Sequence, residues 1–140
     1  MDIPDINVWL ALVDQNHTHH ASAARYWQDI SNTGVAFTRV SMMGLLRLST
    51  MPGVLSRTLT TAEAWDIYRR LLADPNHRFL QEPAALEHHF AALTTRVALP
   101  HRLWTDAYLA AFAIASGCRL VSFDADFSRF PGLNFLRLSP

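Results

Sequence analysis

The chain has 140 residues, half of them apolar, which suits a single domain spanning residues 1–140 with its own core. Twelve acidic and twelve basic residues cancel, which excludes a global basic field as the means of holding a polyanion. All twelve basic residues are arginine, which excludes Schiff-base chemistry, a phosphate-loop lysine and a lysine general base together.

Residues 3–13 are apolar apart from Asp5 and Asn7, and predict a short buried strand ending near Asp5, then a helical turn through Trp9 and Leu12. No basic region precedes a long apolar stretch as a secretory signal would require, so Asp5 is expected to belong to the working chain. Residues 18–30 place Ala23, Tyr26, Trp27 and Ile30 on one helical face, and Asn32-Thr33-Gly34 closes that helix. Residues 35–38 read as a second strand. Residues 40–48, with Arg47 as the only charge, predict a buried helix stopped by Pro52-Gly53, and residues 61–73 a further helix.

Arg78-Phe79-Leu80 is a weak strand candidate, after which residues 83–97 resume helical spacing through Leu86, Phe90, Leu93 and Val97. Residues 104–116 are apolar almost all round and predict a central buried helix capped by Gly117. Residues 119–122 then form a strand delivering Asp124, and residues 133–138 a last strand. This alternation predicts a three-layer α/β/α sandwich on a mainly parallel sheet, in which ligands collect outside the carboxyl ends of the strands. No apolar run reaches the roughly 18 to 20 residues of a membrane span. The lone Cys118 has no partner for an intrachain disulfide or a cysteine zinc site and reads as a small buried hydrophobe, in keeping with a reducing cytoplasm.

On this topology Asp5 and Asp124 lie just past separate strands, and Asp106 lies in the first turn of the 104–116 helix. An ionised carboxylate costs several kcal/mol to bury unless a cation meets it, so three such groups at element ends point to a shared divalent metal. Magnesium or manganese prefers hard oxygen ligands and keeps several waters, which three aspartates can accommodate. Asp126 either assists this site or faces solvent. Each aspartate also has an ordinary reading, Asp106 as a charge favoured by a helix N-terminus and Asp124 as a turn-forming residue. Asn7, Thr105 and Ser122 supply neutral groups that can orient carboxylates, water or substrate.

Five blocks in order carry a resemblance. They are Asp5-Ile6-Asn7-Val8-Trp9-Leu10-Ala11-Leu12, His17-Thr18-His19-His20 leading into Ala23-Ala24-Arg25-Tyr26-Trp27, Gly44-Leu45-Leu46-Arg47-Leu48, Thr105-Asp106-Ala107-Tyr108-Leu109-Ala110-Ala111 and Leu120-Val121-Ser122-Phe123-Asp124-Ala125-Asp126-Phe127. Together they resemble the PIN-domain ribonucleases, specifically the VapC toxins of bacterial type II toxin-antitoxin systems. The resemblance implies Mg2+- or Mn2+-dependent endonucleolytic cleavage of RNA, with Asp5, Asp106 and Asp124 as metal-site carboxylates and 3′-hydroxyl and 5′-phosphate products. It also implies a homodimer and a cognate VapB-type antitoxin, with the helix pair 40–48 and 64–72 as the surface offered to it.

The chain departs from the family pattern where a glutamate usually precedes the Leu-Leu-Arg helix: Ser41-Met42-Met43-Gly44 stands there, with Met42 or Gly44 at the position. A thioether is too soft to replace a carboxylate on magnesium. Glu63, Glu82 and Glu87 are the available substitutes, and nothing in their spacing brings them to the rim. The competing expectation is therefore a catalytically impaired PIN fold that binds RNA or an antitoxin. For RNA phosphates the candidates are Arg39, Arg47 and Arg102, since guanidinium forks match phosphate geometry, although each also suits an ordinary surface role. His17, His19 and His20 could hold zinc or serve structurally, with His20 orienting the first helix pair; His88, His89 and His101 carry no motif. The four tryptophans read as core or interface. A dehalogenase-like phosphatase lacks its second aspartate, since Asn7 occupies that place, and no serine-hydrolase elbow or dinucleotide loop is present.

Overall fold

The computed structural model describes residues 1–30, 33–96 and 98–140; Asn32 and Val97, named in the predicted helix ends, lie outside them. Five short strands form one sheet: β1 (Asp2–Pro4), β2 (Val35–Phe37), β3 (His77–Phe79), β4 (Arg119–Ser122) and β5 (Phe135–Arg137). They lie in the order β3-β2-β1-β4-β5, and every neighbouring pair is parallel. The helices are α1 (Ile6–Val13), α2 (His20–Asp29), α3 (Arg39–Ser49), α4 (Thr61–Ala73), α5 (Leu86–Thr95) and α6 (Trp104–Ser116).

Side-chain alternation along the strands sends Val35, Phe37 and Val121 into a core shared with α1, α2, α3 and α4. Ile3, Ala36 and Leu120 enter a second core against α5 and α6. Two apolar faces on one sheet require two covering layers, which gives the predicted sandwich. Trp9 anchors the first core, fully buried and stacked on Phe37 with ring centroids 3.9 Å apart. Trp27 is half-buried, whereas Trp65 and Trp104 are exposed, so only two of the four tryptophans join the core. Among the described residues no helix is long and apolar enough to cross a membrane.

The helix punctuation follows local chemistry. Thr60 and Glu63 form a reciprocal capping box at α4, as do Thr38 and Ser41 at α3. Thr38, predicted as strand, is therefore the residue that starts α3. The helix predicted from residue 18 begins at His20, and the one predicted from residue 83 at Leu86, after turns that a periodicity reading cannot separate from helix. Gly117 ends α6 in the left-handed region at φ 67°, where the missing Cβ avoids strain.

At Gly44, inside α3, a Cβ would lie 2.1 Å from Ile6 Cδ1 and 2.6 Å from Ile6 Cγ1, so Ile6 fills the space a side chain would need. Gly44→Ala gains helix propensity of about 1 kcal/mol but overpacks against Ile6 at a cost of about 1–3 kcal/mol. The expected net result is a loss of about 1 kcal/mol, recovered in the double variant Ile6→Ala/Gly44→Ala; urea melts that placed Gly44→Ala above wild type would reject the packing argument.

Candidate active site

The parallel pairing of β1 with β4 sets Pro4 opposite Val121 and brings the residues that follow both strands to one rim. Asp5 caps α1: its backbone N–H donates to the Val121 carbonyl at 2.8 Å, and its Oδ1 accepts from Ile6 N at 2.7 Å. The Ser122 hydroxyl donates to Asp5 Oδ2 at 2.9 Å. Having one hydrogen, that hydroxyl is an acceptor for its other partners, Asn7 Nδ2 and the Asp124 N–H, both at 3.0 Å. Ser122, fully buried, thus joins Asp5, Asn7 and Asp124 through one atom.

Asp124 starts the 3-10 turn Ala125–Arg129, its Oδ1 accepting from Asp126 N at 2.8 Å. Asp126 is held in turn by Arg102 Nη1 at 3.0 Å, with Arg129 Nη2 at 3.7 Å from its other oxygen. Asp106 sits half-buried in the first turn of α6, with Thr105 exposed beside it. The four carboxylates feel one another. Burial, followed by the charges of Asp5, Asp124 and Asp126, pushes Asp106 up to about 7, opposed by Arg102. Burial raises Asp5 as well, against its bonds from Ile6 and Ser122, and Asp124 adds repulsion.

Among the described residues no three His, Cys, Asp or Glu side chains are gathered so as to hold a metal ion as they stand. His20 Nδ1 instead donates to the Ala11 carbonyl at 2.7 Å, tying α2 to α1 as expected, and His19 stacks on Phe123 at 4.8 Å. The aspartates are coupled through space without forming a closed coordination shell. Their donor chemistry nevertheless suits a hard divalent cation: four carboxylates stand near only two guanidiniums, and their negative charge adds to the burial that lifts Asp106.

Folded-state Asp106 near 7 against about 3.8 in the unfolded chain fixes a pH effect. The stabilising difference is fully present below the unfolded value and is lost as pH rises through about 7. After discounting for the half-exposure of the group, Asp106→Asn is expected to be more stable than wild type by on the order of 1–2 kcal/mol at pH 8. The gap should close near pH 4. Thermal melts in EDTA across that range check this, and a pH-independent gap would show that ionisation of Asp106 in its half-buried setting is not its source.

The substitute acids lie elsewhere. Glu63 pairs with Arg57 at 2.9 Å, Glu87 is exposed on the first turn of α5, and Glu82 accepts from the Tyr108 hydroxyl at 2.6 Å. Met42 is buried in the first core, and a side chain at position 44 would meet Ile6. Arg39 lies over the Phe79 ring at 4.3 Å, at the carboxyl ends of β2 and β3. Arg47 is eight residues further along α3, about 12 Å away by helical rise, on an outer groove. Of the three arginines, only Arg102 touches the aspartates. Arg129 was not among the candidates; its place three residues after Asp126 on a turn was the available signal.

The PIN domain family description matches residues 3–133. The chain belongs to the PIN-domain family. Within it, the chain belongs to the VapC group: Ribonuclease VapC41 of Mycobacterium tuberculosis is 40% identical over 141 residues, covering 96% of this chain and 95% of that protein. Ribonuclease VapC33 of the same organism is 34% identical over 137 residues, covering 96% of each. Two solved structures share the fold. Rickettsia felis VapBC2 bound to a promoter DNA fragment has a TM-score of 0.74 at 14% identity, covering 99% of this chain and 98% of that one. VapC20 of M. tuberculosis, described as a sarcin-ricin loop cleaving toxin, has a TM-score of 0.69 at 17% identity, covering 95% and 98%.

Proposed function

We propose that this chain is an endoribonuclease toxin dependent on Mg2+ or Mn2+ and restrained by a VapB-type antitoxin. The observation that carries this reading is the junction at Ser122 that holds Asp5 and Asp124 at one rim, with Asp106 and Asp126 near enough to add their charge, in a chain whose VapC relatives are named ribonucleases. These four residues would hold the cation, which supplies charge neutralisation at the phosphoryl oxygen and a more acidic water.

The chain's own groups set the geometry. Ser122 fixes the Asp5 carboxylate, Asn7 fixes Ser122, and the Asp124 N–H completes the same junction. Arg102 and Arg129 limit the rotation of Asp126 and offset part of the negative charge an RNA phosphate would meet. The competing reading, a binding module with impaired catalysis, is favoured by position 44, where a glycine packed against Ile6 stands in place of an acid. Incubation of structured RNAs with excess Mn2+ separates the two: cleavage by wild type that EDTA and Asp5→Asn abolish supports the nuclease, whereas equal cleavage by both proteins, or none by either, rejects it.

For the antitoxin, the outer face of the α3–α4 pair is the surface offered. Met43 is 53% and Trp65 36% exposed beside Leu46, Arg47 and Ala64, around a groove of about 300 Å³. An amphipathic segment laid in this groove would cover apolar surface that water now meets. Met43→Asp is expected to weaken antitoxin capture by about tenfold or more while leaving RNA cleavage by the free toxin intact; unchanged capture in a pull-down titration would move the antitoxin elsewhere. The proposed homodimer is checked by light scattering, and a monomer alone at micromolar concentration would reject it.

A further inference from the structure

Between the carboxyl end of α5 and the segment that follows the 3-10 turn Ala125–Arg129 lies a cavity of about 310 Å³. Leu93, Ala98, Leu99 and Phe130 make its apolar lining, and Arg96 and Arg129 contribute the charged part. Leu93 and Phe130 are buried, while both arginines and Ala98 are exposed, so the cavity has an apolar floor and a cationic mouth. Its volume falls at the small end of the roughly 300–1,000 Å³ typical of ligand pockets. Arg129 also reaches to 3.7 Å from Asp126, so this cavity and the acidic rim share a wall.

We propose that the cavity receives one unpaired base of the RNA substrate, with Arg96 and Arg129 meeting the phosphates on either side of it. The assignment rests on the ribonuclease reading and narrows its substrate class to RNA with a base that can leave the stack. The lining asks for a ligand that is flat and apolar in one part and multiply anionic next to it, as a nucleotide is. Guanidinium forks fit phosphate oxygens, and an apolar slot accepts any base face. A base held in a duplex cannot reach such a slot, because it is stacked and paired; loops and bulges present bases that can be splayed out. The shared Arg129 places this slot beside the carboxylates, so a base held there would set which neighbouring phosphate meets the acidic rim.

The test measures binding rather than cleavage, on Asp5→Asn protein in EDTA, with a fluorescein-labelled RNA hairpin carrying an unpaired loop and the fully paired duplex of its stem. The hairpin is expected to bind more tightly than the duplex. Filling the slot with Ala98→Trp, at an exposed position, should weaken hairpin binding by about tenfold and leave the salt dependence unchanged, with Ala98→Leu intermediate. Arg96→Ala combined with Arg129→Ala should instead make the slope of log affinity against log salt shallower by about 1.4, from about 0.7 per lost phosphate contact. Thermal melts confirm that each variant folds. Hairpin affinity unmoved by Ala98→Trp, or a salt slope unmoved by the arginine pair, overturns the proposal. So does a slot-filling variant that spares RNA and weakens only an acidic aromatic peptide, which would make the cavity a peptide site. Cleavage with Mn2+ by protein carrying a native Asp5, together with unaltered binding by Ala98→Trp, would remove this inference and leave the nuclease standing; slot-dependent binding with no cleavage of any RNA would do the reverse.

Discussion

Asp5→Asn is expected to lower the rate of RNA cleavage by at least about 100-fold, above the roughly 10- to 100-fold cost of disturbing groups that only orient a metal ligand. Asparagine is the right probe because it keeps what Asp5 does for the fold. Its carbonyl can still accept from Ile6 N, since Asn and Asp are comparable N-caps, and its amide can donate to the Ser122 oxygen where the carboxylate now accepts. The Ser122 hydrogen is then free for Asn7 Oδ1, 3.3 Å away. A buried carboxylate whose charge the site disfavours is also removed, so stability should be equal to wild type or higher. Asn7→Ala, which loosens Ser122 without touching a carboxylate, should fall between the two proteins. Single-turnover rates with Mn2+, alongside thermal melts, check the order; an Asp5→Asn protein that is inactive because it is unfolded would reject this account of the site, as would one that is fully active.

Asp2→Ala is expected to destabilise the fold by about 3 kcal/mol, roughly 10 °C in melting temperature. Asp2 is 1% exposed at the start of β1, opposite Arg119 in β4. It accepts from Arg119 Nε at 3.0 Å, Arg119 Nη2 at 2.8 Å and the Tyr26 hydroxyl at 2.9 Å. Removal leaves a buried hydroxyl without its acceptor and a guanidinium only partly able to reach water. Tyr26→Phe, which deletes one bond and no charge, should cost only about 1 kcal/mol. Because three residues of extended chain, about 10 Å, separate Asp2 from Asp5, the rate per folded molecule should not change. A loss below about 1 kcal/mol for Asp2→Ala in urea denaturation would contradict the assigned role.

These two aspartates also mark where sequence reasoning succeeds and stops. The place of Asp5 between β1 and α1 was legible because an acid after an apolar run and before a helix is locally anomalous, and α4, α6 and β4 were legible because periodicity and caps are local. Asp2 carries no such signal. Its partner lies 117 residues away, and only the sheet order that makes β1 and β4 neighbours brings them together. Arg102 was likewise read as a phosphate contact from its neighbourhood in the chain, yet its partner Asp126 is 24 residues on. The 310 Å³ cavity is built from two segments about thirty residues apart in the chain, each of which reads as ordinary on its own.

The occupation of the Gly44 space by Ile6 bears on how this chain could change. A side chain regained at position 44 meets Ile6 Cδ1 first, the end of a half-buried side chain next to Asp5, so Ile6 has to move before an acid can sit there. Either Ile6 turns aside at a packing cost, or it becomes smaller, a step that by itself returns nothing to the site. The route back to a fuller set of carboxylates therefore carries a cost at Ile6 whichever change comes first, so the present composition of the rim is tied to the packing of α1 on α3 as much as to its own chemistry.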